Sequence, residues 1–240
     1  MQNKSYTNLF TFSSFLVVIF LLSNCKPIDN SKKLLAQALK NKDYATAAFA
    51  YNNLLLVDTS NLEWKDSLAR IYIKSGNYEG GVSLGEQVLI KQPKNLKLLE
   101  LVGIGNGRLN KLDKSLANFN SLFIATKDYT YLYKMAGISY DNQNFSVADS
   151  LADIMIAKAD TSKKITVQMP DGSEQTVPIT AACYNMKGAI LADLFDKSGN
   201  PSYVKNSIPL FEKAIQIYPD FKFPKLYLQR IAQYIQGSGK

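Results

Sequence analysis

Apolar and small side chains recur along the chain at a nearly fixed interval. The pairs Asp43-Tyr44, Asn77-Tyr78, Lys111-Leu112 and Asn144-Phe145 fall 34, 34 and 33 residues apart. Three residues beyond the second member of each pair stand Ala47, Gly81, Ser115 and Ala148, all small. Seven beyond come Tyr51, Gly85, Phe119 and Ala152, and ten beyond come Leu54, Val88, Leu122 and Met155. Offsets of three, seven and ten return to one face of an α-helix, and a small side chain on that face lets a neighbouring helix approach closely. A second helix precedes each of these. In the second repeat it carries Leu68, Ala69 and Tyr72 and stops at Gly76-Asn77; the helix that follows ends before Pro93.

The run Leu68-Ala69-Arg70-Ile71-Tyr72, with Gly76-Asn77-Tyr78 and Pro93, resembles the tetratricopeptide repeat, a helix-turn-helix of about 34 residues. Weaker copies follow the same pattern. The first begins near Ile28, the third keeps Leu99, Val102, Gly103, Phe119 and Leu122, and the fourth keeps Met135-Ala136, Phe145 and Ala148. A stretched fifth copy has Tyr184, Gly188 and Leu191, then a longer turn across Asp196 to Ser202, then Ser207, Phe211, Ala214 and Pro219. From Phe223 to Gln236, Leu226, Ile231 and Tyr234 sit among polar residues, as in a C-terminal capping helix. The resemblance implies an all-α superhelix, an α-solenoid of about five repeats. Repeats one to four then occupy residues 28–160, an insertion 161–180, the degenerate fifth repeat 181–221, and the capping helix and tail 222–240.

In that family the first helix of each repeat faces the concave groove. By phase, the resemblance places Asp66, Arg70, Ile73 and Lys74 there in the second repeat, Leu101, Ile104 and Arg108 in the third, and Tyr133, Lys134, Gly137, Tyr140 and Asp141 in the fourth. Arg70, Lys74, Arg108 and Lys134, flanked by Tyr133 and Tyr140, are candidates to hold an extended peptide or an acidic tail; the other reading is a solvated helix face. The carboxylate clamp that some members direct at chaperone C-termini is absent, because Ala36, Ser67 and Leu101 stand at its phases.

The insertion breaks the helical period. Lys164 to Met169 alternates apolar and polar, Pro170-Asp171-Gly172-Ser173 is a turn sequence, and Glu174 to Ile179 alternates again, which predicts a β-hairpin. A two-stranded hairpin is marginal alone in water, so Ile165, Val167, Val177 and Ile179 must rest either on the repeats or on a partner protein.

The N-terminus has a different pattern again. A polar start with Lys4 leads into an apolar stretch from Leu9 to Leu22. At 1.5 Å per residue that stretch spans about 21 Å, short of the ~30 Å hydrocarbon layer, so it suits an export signal better than a membrane span. Leu22-Ser23-Asn24-Cys25 resembles the lipobox of bacterial lipoproteins, which implies cleavage of residues 1–24 and acylation of Cys25, with residues 25–27 as a tether. Lys26 differs from the Asp of an inner-membrane retention signal, and no acidic run follows, which implies an outer-membrane anchor facing the periplasm.

Composition narrows the chemistry. There is no histidine, and Cys25 and Cys183 are the only cysteines, which excludes His-based triads and thiolate metal cages. Cys183 reads as a buried free thiol on a helix. Net charge is +8, yet the cations are scattered, so basic surface is favoured over nucleic-acid binding. Gly103-Ile104-Gly105-Asn106-Gly107 lacks the Lys-Ser/Thr of a phosphate loop and reads as close helix packing. The carboxylate pairs Glu63 with Asp66 and Asp149 with Asp153 are the remaining candidates for catalysis. No enzyme, metal or cofactor is expected. The chain reads as a membrane-anchored scaffold for other proteins or peptides in the bacterial envelope, with an assembly, secretion or pilus subunit as the alternative.

Overall fold

The computed structural model describes residues 25–160 and 162–238. The leader lies outside these residues, as does the Cys25 side chain. Two compact units divide between Leu109 and Asn110. The first holds α1 (Cys25–Lys40), α2 (Tyr44–Val57), α3 (Leu62–Lys74), α4 (Tyr78–Lys91) and α5 (Leu96–Arg108). The second holds α6 (Leu112–Thr126), α7 (Tyr129–Asp141), α8 (Phe145–Lys158), strands β1 (Lys164–Gln168) and β2 (Glu174–Pro178), then α9 (Ile179–Ser198), α10 (Pro201–Ile217) and α11 (Lys222–Ser238). The period makes α5 and α6 one repeat, but α5 belongs to the first compact unit and α6 to the second. Backbone at residues 25–27, read as a tether, is already helical.

In the first unit, successive helices pack in antiparallel hairpins, α1 with α2 and α3 with α4. Ala69, Ile73, Val82, Val88, Leu98 and Val102 form one core. The glycine-rich helix is intact and serves the expected purpose: a Cβ on Gly105 would stand 2.6 Å from Val82 Cγ2, too close for any side chain. Ile73 and Leu101 depart from their groove assignment. Ile73 is part of this core and Leu101 packs against it, because the phase that faces a groove borders the phase that faces the next helix.

Helix starts follow from local chemistry. Asp43, Asn61, Asn77 and Asn95 precede α2 to α5, and each side chain accepts from a backbone N–H of the first turn. Two residues before the second helix of each repeat, Lys42, Gly76, Asn110, Gln143 and Gly199 all adopt positive φ, between 56° and 88°. A tight reversal between antiparallel helices needs this left-handed residue, although only the second and fifth repeats supply glycine for it.

The second unit contains the insertion. β1 and β2 pair antiparallel with Ile165 opposite Val177 and Val167 opposite Gln175. The Gly172 N–H donates to the Met169 carbonyl at 2.9 Å across Pro170-Asp171, and Gly172 takes φ +81°, as the turn sequence predicts. Ile179 departs from the predicted strand. Pro178 ends β2 and fills the cap position of α9, where its fixed φ and missing N–H suit a helix start, so Ile179 opens the helix.

Ile165, Val167, Val177 and Ile179 are buried in the second unit's core with Leu132, Ala136, Met155 and Ala182. Of the two readings left open, rest on the repeats or on a partner protein, this burial supports the first: their own repeats cover them. Polar contacts fix the hairpin as well. Gln175 donates to the Asp220 carbonyl at 2.6 Å and accepts from the Lys222 N–H at 3.0 Å, and Lys163 Nζ meets Asp128 at 3.1 Å. The longer turn expected across Asp196 to Ser202 is also shorter than read. α9 runs on to Ser198, Gly199 caps it in the left-handed conformation, and Asn200 caps α10 with Pro201 at its first turn.

Candidate functional site

α7, α9 and α11 lie side by side in the second unit, and with β1 they line an open cleft of about 310 Å³. Helical spacing places the lining. Tyr133, Gly137, Tyr140 and Asp141 share one face of α7; Asn185, Met186 and Ala189 share one of α9; Phe223 and Tyr227 are one turn apart on α11. Thr166, Val167 and Gln168 of β1 form a further wall. A second cavity shares Tyr140 and Asp141 with the first and adds Gln143, Phe145, Asp193, Asp196 and Lys197. A third shares Tyr227 with the first and Asp196 with the second, and adds Phe195 and Arg230.

Aromatic surface and carboxylates dominate this face. The Tyr140 hydroxyl donates to Asp193 Oδ2 at 2.6 Å. Burial first, and that hydrogen bond next, raise the Tyr140 hydroxyl above its ordinary value, and burial does the same to Tyr133. Both phenols are neutral near pH 7. Lys197 donates to Gln143 Oε1 at 2.7 Å and lies 4.8 Å from the centroid of the Phe145 ring. Arg230 meets Asp196 at 3.3 Å. Asn185 is 9% exposed, and its Oδ1 has no partner in the protein.

Of the candidate groove residues, Tyr133 and Tyr140 line the cleft. Lys134 does not; its ammonium lies over the Phe119 and Tyr131 rings at 5.6 and 5.7 Å. In the first unit Arg70 pairs with Asp66 at 3.0 Å and donates to Asn95 at 3.1 Å, while Lys74 and Arg108 are exposed. No lysine or arginine lines the cleft itself, which presents tyrosines, Phe223, the Asn185 amide and Asp141. Asn185 and Met186 were missed because the insertion breaks the period, and Phe223 and Tyr227 because they lie on the helix read as a cap. A signal existed: carried forward by the 52 residues that separate Ala136 from Gly188, Tyr133 falls on Asn185, Gly137 on Ala189 and Asp141 on Asp193.

The other chemical candidates have structural partners. Asp149 and Asp153 both accept from Lys187 Nζ, at 2.7 and 2.8 Å. Burial works against the Lys187 charge, but these two carboxylates outweigh it and raise the ammonium above its ordinary value. Cys183 is buried beside Met155, and burial pushes its thiol up to about 12. Among the described residues no group of three or more Cys, Asp or Glu converges to hold a metal ion. No described helix is long and apolar enough to cross a membrane.

No protein-family model matches the chain, and no curated protein matches its sequence. Solved structures do. A crystal structure of MamA aligns over 80% of this chain and 92% of its own, with a TM-score of 0.57 at 12% identity. YrrB, a TPR protein with an unusual peptide-binding site, aligns over 82% of this chain and 88% of its own, with a TM-score of 0.56 at 14% identity. This chain has the tetratricopeptide-repeat fold. MamA from AMB-1 gives the same result over 85% of this chain, with a TM-score of 0.55 at 15% identity. Within the tetratricopeptide-repeat fold, the cleft is formed by the first helices of repeats four and five and by the capping helix.

Proposed function

We propose that this tetratricopeptide-repeat chain is a scaffold of the bacterial envelope, anchored by lipid on Cys25, that holds an extended segment of another protein in the cleft between α7, α9 and α11. The observation that carries the reading is the cleft itself. It is open and lined by the aromatic side chains of Tyr133, Tyr140, Phe223 and Tyr227. Peptides suit such a surface, because apolar side chains gain from the rings. YrrB, with its peptide-binding site on the same fold, adds support. Catalysis finds less support, since the Asp149 and Asp153 pair is committed to Lys187.

A photocrosslinking amino acid placed at Gln168, which is exposed and lines the cleft, tests this in native membranes against the same group at Ile154 on the outer side of α8. Protein adducts from position 168 that are absent from position 154 are expected. Identical adducts from both positions, or none from 168, count against the scaffold reading.

A further inference from the structure

Helix α1 begins at Cys25, the residue read as acylated, with no linker between that residue and the helix. An acyl group there holds the first unit close to the lipid, and the surface around the start of α1 is the one brought to the bilayer. Topology says which residues share that surface. Short links join α1 to α2, α2 to α3 and α3 to α4, and each helix packs on the one before it, so that chain direction alternates. The N-terminal ends of α1 and α3 and the C-terminal ends of α2 and α4 therefore form one edge of the first unit.

That edge is apolar where it should meet water. Leu56 at the end of α2 is 81% exposed and Ile90 at the end of α4 is 76% exposed, the two highest values for large apolar side chains among the described residues. Val57 beside Leu56 is also exposed, and Trp64, the chain's only tryptophan, stands half-buried in the first turn of α3. Charge accompanies them. Lys91, Lys94 and Lys97 are all exposed, and no acid interrupts the chain from Ile90 to Leu99. The edge also carries Asp29, Asp58 and Glu63, of which Asp58 accepts from Ser60 and Asn61. Aliphatic side chains and a tryptophan beside lysines suit the boundary between acyl chains and anionic headgroups, where the apolar groups enter the lipid and the ammonium groups stay with the phosphates.

Resting on the lipid anchor of the scaffold reading, we infer that this edge of the first unit docks on the bilayer, with Leu56, Val57 and Ile90 inserted and Lys91, Lys94 and Lys97 on anionic headgroups. Lipid then grips the protein twice, through Cys25 and through the edge, and the second contact fixes which way the first unit faces.

The test reconstitutes the full-length protein in vesicles of phosphatidylethanolamine and phosphatidylglycerol that contain nitroxide-labelled lipid. A fluorescent nitrobenzoxadiazole group is placed on Thr59→Cys, an exposed position of this edge, or on Lys74→Cys, exposed at the opposite end of α3. Acylation occupies the Cys25 sulfur and Cys183 is buried, so the added cysteine takes the label. The lipid nitroxide should quench the label at 59 and leave the label at 74 bright. Leu56→Gln with Ile90→Gln, both at exposed positions, should abolish quenching at 59 while the protein still floats with the vesicles, with circular dichroism confirming the fold. Replacing phosphatidylglycerol by phosphatidylcholine should weaken the quenching. Equal brightness at 59 and 74 in protein that floats overturns the docked edge and leaves the anchor standing, as does full quenching in the double variant. Quenching indifferent to anionic lipid overturns the role of the lysines. Protein that does not float overturns the anchor and this inference together.

Discussion

Single residues decide where each repeat turns and how the cleft is charged. Lys42 and Gln143 hold the left-handed conformation that Gly76 and Gly199 adopt at no steric cost, so this recurrent geometry leaves only a partial mark in residue type. The sequence phase picks out Tyr133 and Tyr140 as inward-facing, but phase says nothing of which charges are already neutralised. Arg70 satisfies the groove phase and is nevertheless occupied by Asp66 and Asn95. Tyr140 has a consequence for pH. Its hydroxyl titrates above the ordinary 10.0 in the folded chain, chiefly through burial and then through Asp193. The folded state thus holds this proton at pH values where the unfolded chain releases it. Its stabilising contribution is complete below about pH 10 and is lost as pH rises through the folded value. Thermal midpoints should be flat from about pH 7 to 9 and fall above 10, and Tyr140→Phe should flatten part of that fall at a cost of about 1 kcal/mol at neutral pH. An unaltered alkaline limb in the variant would refute the assignment.

At the scale of elements, the helices were legible because burial repeats at a period that few residue types can meet, and the small residues mark close approach, as Gly105 does against Val82. The hairpin was legible from strict alternation and from a turn whose proline and glycine each have a backbone role. Its attachment was not. Gln175 reaches Asp220 and Lys222 across a separation that no local pattern encodes, and a polar residue on an alternating strand gives no sign of its partner. Removing that attachment isolates its effect. Gln175→Ala should cost about 1–2 kcal/mol, two hydrogen bonds at the usual net value. The loss should be local. Amide hydrogen exchange should quicken in β1, β2 and the first turn of α11 and stay unchanged in α3 and α4; uniform acceleration would contradict the assignment.

For the whole molecule, an identity of 12 to 15% with MamA and YrrB leaves the fold recognisable because the fold depends on a minority of small and apolar positions, which tolerate exchange among themselves. The same tolerance explains why the ligand cannot be carried over from those neighbours. The proposed anchor belongs to this scale too, since more than one acyl chain on Cys25, at about 0.8 kcal/mol per buried CH₂, would fix the entire chain to a bilayer. Labelled palmitate should enter the wild-type protein in a bacterial host and be lost in Cys25→Ser, which should leave the membrane fraction; equal labelling of the two would dismiss the lipid anchor. The hairpin, finally, occurs once among units that otherwise repeat. A purely repeating face offers an extended segment several near-equivalent settings, each displaced by one helix pair. With the β1 wall at Thr166 to Gln168 standing at a single place along that face, a displaced segment loses a side of its enclosure. On the proposed reading, the strand would fix the reading frame in which a bound chain is held and make the surface selective for position as well as composition.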